Sequence, residues 1–454
     1  MNTTDALLMA AFGGKKTVII PRKAINLLDI KGNVFRAYDK AQFLALTELP
    51  APPSADGFTP KGWNWTLPEA KAAVEANGKL DVAPEYETSD GKTHIYITLY
   101  EGRLSPKLEF KLKGTATVDW GDGSDPDTQT KASLTAVAFS HTYVTPGEKV
   151  ISIELTDGSY FTLSQGSFPD NTSARLFDNP VYRNAVKRID FGNGLTGIDA
   201  AGLSGFYGLE EINLPTSGLS ALVSFQYAGS LKSLIVPENI TSLGSTALGR
   251  GYSLKNIVLP NTLTTIEQNA FVYCYALESI TIPQGVTRIR QETFNECYSL
   301  KKVDFLGNIT SIDTKAFYDC YSLTSVTIPA TVTSIGKNAF AFCYSLAKVR
   351  FLPTIPPEMT SSAFGSRTPT DCIFYVPYAG LAAYLSAANY PSPSTYTYLG
   401  YATYTSGAAL PAQDGTEAYN VTWYATRADA KAGTNPITEG NGNEIYCTYA
   451  AVTA

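Results

Sequence analysis

AFVYCYALESITIPQGVTRI, residues 270–289, returns 23 residues later as TFNECYSLKKVDFLGNITSI, residues 293–312. The register is marked by Cys274, Cys297, Cys320 and Cys343, each followed by a tyrosine (Tyr275, Tyr298, Tyr321, Tyr344). Two residues further on stands a leucine each time: Leu277, Leu300, Leu323 and Leu346. A period in the twenties built around short apolar strands is the signature of a solenoid, in which each copy buries its apolar face on the next.

The unit reads L-x-x-I-x-L-P, a short spacer, I-T-S-I, a polar turn, then A-F-x-x-C-Y-S. First strands begin at Leu209, Leu231, Leu254, Leu277, Leu300, Leu323 and Leu346, with a degenerate copy near Val186 that carries Ile189 and Phe191. Period-2 alternation points Ile257 and Leu259, Ile280 and Ile282, Val303 and Phe305, and Val326 and Ile328 inward. A proline after the strand (Pro237, Pro260, Pro283, Pro329) removes a ladder donor and turns the chain. The second segment repeats the alternation with Leu263 and Ile266, Val286 and Ile289, Ile309 and Ile312, and Val332 and Ile335. Phe271, Phe294, Phe317 and Phe340 then plug the core from a short helical or irregular turn.

Four cysteines at one repeat position do not form a disulfide framework, which joins different positions of a loop-rich fold. Earlier repeats hold Phe206, Ala228 and Gly251 there, an interchange that marks buried apolar filler, so free buried thiols are expected. No C-x-x-C spacing occurs and neither of the two histidines is near, which argues against zinc.

The I-T-S-I and C-Y-S-L phrases, with F-L-P-T-I-P-P from Phe351 and a changed pattern through Ile373–Pro377 to a helix-like run at Leu381–Tyr390, resemble the BspA-type leucine-rich repeat family over about residues 180–395. That resemblance implies a cell-surface or secreted adhesin without enzymatic activity. Upstream, Trp120-Gly121-Asp122-Gly123-Ser124 followed by His141-Thr142-Tyr143 resembles the PKD-type, immunoglobulin-like β-sandwich over about residues 88–165. Asp119, Asp122, Asp125 and Asp127 have calcium-capable oxygens, but their spacing departs from the D-x-[DN]-x-[DN]-G loop and reads as an ordinary turn.

In the first 85 residues, Val18–Pro21 and Val34–Tyr38 read as strands and Pro68–Asn77 as a helix ending at Gly78. Leu49 through Trp63 resembles the closing phrase of Listeria–Bacteroides surface repeats. The tail offers strands at Tyr419–Ala425 and Glu444–Ala451. The resulting plan is a mainly β protein. It has an N-terminal attachment module over residues 1–87, a PKD-like sandwich over 88–165, the repeat domain with its cap over 166–395, and a small β module over 396–454.

Composition narrows the function. Charged residues are 17% of the 454, the net charge is −6, and there is no basic block, which speaks against nucleic acid. No run of 18 apolar residues is present to span a membrane. The apolar stretch Ala6–Phe12 lacks a preceding basic residue and a small-residue cleavage site, so no signal peptide is recognisable. The absence of a P-loop, a nucleophile elbow or a paired-carboxylate motif leaves no residue for a catalytic role, and neither metal nor cofactor is expected.

Two surfaces are candidates for binding. One is the tyrosine column Tyr207, Tyr252, Tyr275, Tyr298, Tyr321 and Tyr344, broken at Gly229, suited to sugar faces or a protein partner. Its competing reading is that identical side chains stack only to stabilise the solenoid. The other is the outward face of the first strands, with Lys302, Asp304, Lys348 and Arg350 its charged members. The expected function is adhesion or receptor binding to a host cell-surface protein or glycan. The missing signal favours a phage or phage-tail-like particle, with the N-terminal region docking on other virion or tail subunits. The alternatives are a secreted or surface-anchored adhesin and a purely structural virion protein.

Overall fold

Successive repeats pair in parallel with a shift of 23 residues: Ser279 with Lys302, Ile280 with Val303, Thr281 with Asp304 and Ile282 with Phe305. The second strands stack likewise, Ile289 on Ile312 and Ile312 on Ile335. Each turn is one rung of a stack of short parallel strands. The computed structural model describes residues 23–163, 176–177, 179–198, 202–223, 225–360, 362–365, 368–392, 397–403, 419–437 and 444–451. The expected strand at Val18–Pro21 and the stretch Ala6–Phe12 lie outside these residues.

The A-F-x-x-C segment is irregular rather than helical. It runs as two overlapping turns, with Val272 N–H on Asn269 O at 3.0 Å and Cys274 N–H on Phe271 O at 3.1 Å. The alternate amides point along the solenoid axis: Asn269, Phe271 and Tyr273 donate to Gln291, Thr293 and Asn295 of the next turn at 2.9–3.1 Å. This geometry needs two left-handed residues per repeat, and they are not glycines: Asn269 and Tyr273, Glu292 and Glu296, Lys315 and Asp319, Asn338 and Phe342 all have φ between 54° and 62°. The backbone strain at these positions is offset by a third hydrogen-bonded ladder.

Inside, Phe271, Phe294, Phe317, Phe340 and Phe364 stack at a constant 5.2 Å. Beside them the four repeat cysteines are fully buried, and all six cysteines are free thiols. Each repeat thiol donates to a carbonyl of the preceding turn, Cys274 to Leu248 at 3.2 Å and Cys297 to Phe271 at 3.3 Å. Burial pushes the Cys274 thiol up to about 12.

Both ends of the solenoid are closed by flanking strands. At the N-terminal end the sheet order is Leu195–Ile198, Tyr160–Leu163, Lys107–Asp119, Gly147–Leu155, Thr93–Leu99, Val186–Asp190, Glu211–Asn213, with Asp127–Ser140 paired to Lys107–Asp119. The first and last of these strands belong to the repeats. The β region marked by the W-G-D-G-S phrase therefore wraps the open end, and its apolar side chains join one core that runs from Ile95 to Cys447. At the other end Ile373–Pro377 and Thr397–Thr403 continue the parallel stack, and Glu444–Ala451 and Tyr419–Tyr424 end it antiparallel.

The N-terminal module has its own core of Ile25, Leu27, Phe43, Ala70, Val74, Leu80 and Val82. Its helix Leu67–Asn77 ends on Gly78 at φ 70°, as the sequence predicts. It docks on the outward face of the early repeats through Lys31 on Glu211 at 2.7 Å and Glu87 accepting from Thr216 at 3.0 Å. Trp65 and Leu80 line a cleft with Ile257, Val258 and Thr281.

Candidate functional site: a laddered tyrosine face

The tyrosine column forms as the 23-residue register demands. Tyr252–Tyr275 stack at 5.2 Å, Tyr275–Tyr298 and Tyr298–Tyr321 at 4.7 Å, and Tyr321–Tyr344 at 5.2 Å. The middle pairs are nearly parallel, 3° and 11° between ring planes, and the last is tilted by 56°. Rings stacked this closely cover one another's faces. What the middle of the column presents outward is ring edges and phenol groups, whereas the tilt at Tyr344 and the interruption at Gly229 break this face-to-face cover.

The hydroxyl row is electrostatically shaped by its neighbours. Tyr298 donates to the Glu296 carboxylate, and that bond together with burial holds its phenol well above the usual range. Burial and the charge of Glu296 raise Tyr275 as well, and burial and Asp319 raise Tyr321. The row is thus a set of neutral hydroxyls over an acidic flank.

A second aromatic column lies beside the first and was missed in the sequence reading. It occupies the left-handed position two residues before each rung of the column, Gly229 included: Tyr227, Arg250, Tyr273, Glu296, Asp319 and Phe342. The Arg250 guanidinium is sandwiched between the Tyr227 and Tyr273 rings, 4.9 and 5.1 Å from their centroids. Phe342 packs edge-on to Tyr318 at 5.0 Å and against Tyr344 at 6.1 Å. The same period that exposes Tyr275 exposes this column, but the chemistry changes from repeat to repeat, so no repeated letter announces it.

The strand-face candidates do not form a site with one another. Lys302 pairs with Asp304, and Lys79 of the N-terminal module stands beside them, its ammonium held below its usual value first by Lys302. Arg350 is taken up by the C-terminal cap: it pairs with both Glu444 oxygens and lies 3.8 Å over the Tyr401 ring. Lys348 sits 5.1 Å over Tyr375. The flanking modules, invisible to a repeat-by-repeat reading, occupy this face.

In the W-G-D-G-S turn the carboxylates serve their own loop. Asp119 accepts from Gly121 N–H at 2.8 Å, Asp127 from the Trp120 indole at 2.8 Å, and Asp122 from Ser124 and from His141 at 2.7 Å. Those two partners, Ser124 first, hold Asp122 down at about 2. His141 stacks on Trp120 at 5.2 Å, and Tyr143 donates to Trp120 O at 2.7 Å. Gly121 is required here: its φ is +70° and a Cβ would lie 2.2 Å from Val150 O. Among the described residues no group of three His, Cys, Asp or Glu side chains could hold a metal ion. No helix among them is long and apolar enough to cross a membrane.

Fold and site together define a parallel β-solenoid scaffold that displays a periodic aromatic surface. A family model described as BspA type leucine rich repeat region matches in six copies over residues 159–276 and 220–347. No curated protein matches. Among solved structures, a leucine rich cell surface protein from Faecalibacterium prausnitzii A2-165 is 25% identical, with a TM-score of 0.34, covering 42% of this chain and 60% of that one. A leucine-rich repeat protein from Eubacterium ventriosum is 22% identical, TM-score 0.30, with 39% and 58% covered. One from Bacteroides ovatus is 24% identical, TM-score 0.29, with 47% and 65% covered. This chain covers less than two thirds of the length of each.

Proposed function

We propose that this is a non-enzymatic recognition protein that binds a cell-surface protein or glycan through its tyrosine face. The observation that carries the reading is the stacked column itself. Four consecutive ring pairs at 4.7–5.2 Å hold a straight row of hydroxyls on rigid backbone. A row of this kind costs little ordering entropy on binding, because its rotamers are already fixed by their neighbours. Among the described residues Tyr207, Tyr252, Tyr321 and Tyr344 of this column are exposed, while the flanking modules occupy the outward strand face.

Replacing Tyr298 and Tyr321 together by alanine tests it. Loss of binding to target cells, with the melting transition still cooperative, supports the face; undiminished binding sinks it. The setting is a separate matter. The repeat family favours a bacterial cell-surface or secreted adhesin over a phage or tail-like particle. Fractionation decides: native protein in the cell-envelope fraction fits the adhesin, and co-sedimentation with particles fits the virion reading.

A further inference from the structure

The tyrosine column has one missing rung, at Gly229, and the space it leaves has the attributes of a small-ligand site. Consecutive turns stand about 4.8 Å apart, so Tyr207 and Tyr252, two turns apart, are separated by about 10 Å along the column. A side chain starting at Gly229 would lie 3.8 Å from Tyr207 Cδ1 and 3.6 Å from Tyr252 Cδ2. The two rings therefore flank an opening one ring thick, with glycine backbone as its floor. Tyr252 stacks on Tyr275 with one face, and among the described residues no ring or cation covers the other. Tyr227 packs on the other wall, Tyr207, at 5.6 Å and tilted by 49°. Both walls are well exposed, Tyr207 at 46% and Tyr252 at 38%.

The slot does not stand alone. Tyr252 and Ser253, with Glu210, Glu211 and others, line a cavity of about 580 Å³ between the early repeats and the N-terminal loop carrying Ile30, Lys31 and Asn33. That volume is in the range of small-ligand sites. The cations around it are mostly neutralised: Lys31 by Glu211 at 2.7 Å, Arg188 by Asp190 at 2.9 Å and Lys255 by Glu278 at 3.1 Å. Lys232, three residues after Gly229 on the same turn, also lines the cavity, and among the described residues it has no ion-pair partner. Tyr252 thus links the opening over Gly229 to a cavity that also carries the Lys232 ammonium, in a chain whose net charge is −6.

We infer that the Gly229 slot is the subsite for an acidic sugar, a pyranose carrying a carboxylate. The apolar C–H face of the sugar lies on Tyr252, and its carboxylate pairs with Lys232 by a charge-assisted hydrogen bond. The cavity behind takes the adjoining residues of the chain. This inference deepens the recognition function proposed above and rests on it, but it places the specific contact where the tyrosine row is broken rather than where it is continuous.

Calorimetry of the full chain with galacturonate oligomers of four to six residues, against neutral galactose oligomers of equal length, tests it. The acidic oligomer is expected to bind and the neutral one to bind at least tenfold more weakly. Gly229→Tyr restores the rung that every later repeat of the column carries, at a backbone position without positive φ and with ordinary contacts for a Cβ. It should leave the melting temperature unchanged or higher and abolish binding. Lys232→Ala should weaken the acidic oligomer by about tenfold, the size of one ion-pair contact of about 1.4 kcal/mol. Lys301→Ala, an exposed lysine three repeats beyond Lys232 and outside the tyrosine row, should leave oligomer affinity intact. Absence of saturable binding by the acidic oligomer, equal binding of the neutral one, or affinity that survives Gly229→Tyr would overturn the slot. Loss of cell binding in the Tyr298/Tyr321 variant alone would bear on the wider face and not on the slot.

Discussion

Asp319 holds a left-handed backbone at φ 58° without the freedom of glycine, and it stands near Glu296 on the preceding rung. The left-handed conformation costs an L-residue about 1–2 kcal/mol. Burial and Glu296 hold the Asp319 carboxyl above its usual range, so the folded chain binds that proton more tightly than the unfolded one does. The penalty is therefore present above the raised folded value and disappears as pH falls below the unfolded value of about 3.9. Asp319→Gly should stabilise the protein by about 1 kcal/mol at pH 7, with the gain shrinking toward pH 4, read from urea midpoints at the two pH values. Asp122 has the opposite sign. Depressed to about 2 by Ser124 and His141, it contributes stability that is present above about pH 4 and lost as pH falls through about 2. The repeat cysteines give a further test at this scale. A thiol pushed up to about 12, as at Cys274, is almost wholly protonated at pH 8. The native protein should leave these four thiols unlabelled by a thiol reagent over hours, while denaturant exposes all six; rapid native labelling at Cys274 would contradict its burial.

At the scale of elements, the phenylalanine stack ties neighbouring turns together. Phe317 contacts Phe294 and Phe340, each at 5.2 Å, and is fully buried. Phe317→Ala should cost about 3–5 kcal/mol, since the parallel ladders on three sides prevent collapse around the hole. The C-terminal strands are held differently. Arg350 donates twice to Glu444, and that pair lowers the Glu444 carboxyl against the burial that raises it. Arg350→Ala leaves the half-buried Glu444 carboxylate to Tyr446 and the more distant Arg427 and should cost about 1–2 kcal/mol. Limited proteolysis should then cut first beyond Pro377, whereas unchanged cleavage would mean the cap is held without this pair. The strands and their inward side chains were legible from the alternation alone, as Val286, Ile289, Ile309 and Ile312 show by being buried. The A-F-x-x-C turn was not, because nothing in letters such as Lys315 or Glu292 signals a left-handed backbone. Inter-turn hydrogen bonds impose that conformation against local preference.

Over the whole molecule, the shared core from Ile95 to Cys447 makes the capping strands and the repeats one cooperative unit. The N-terminal module, with its separate core from Ile25 to Val82, is a second. Hydrogen exchange should accordingly show protection lost together across residues 93–377 and separately, at lower free energy, over 25–82. Independent exchange of the region 93–155 would contradict the continuous core.

The chain's letters were enough to establish the period, the inward set of each strand, the buried thiols and the tyrosine column, because a solenoid repeats one local environment and so repeats the residues that suit it. They could not establish which faces remain open. Lys302, Asp304, Lys348 and Arg350 look alike in a repeat alignment, yet the N-terminal module stands against the first pair and the C-terminal cap takes up Arg350 and covers Lys348. Nor could they show that stacking would cover the faces of Tyr275 and Tyr298 while one face of Tyr252 stays free beside Gly229. Both outcomes depend on contacts between segments far apart in the chain, where geometry rather than residue type decides what is covered.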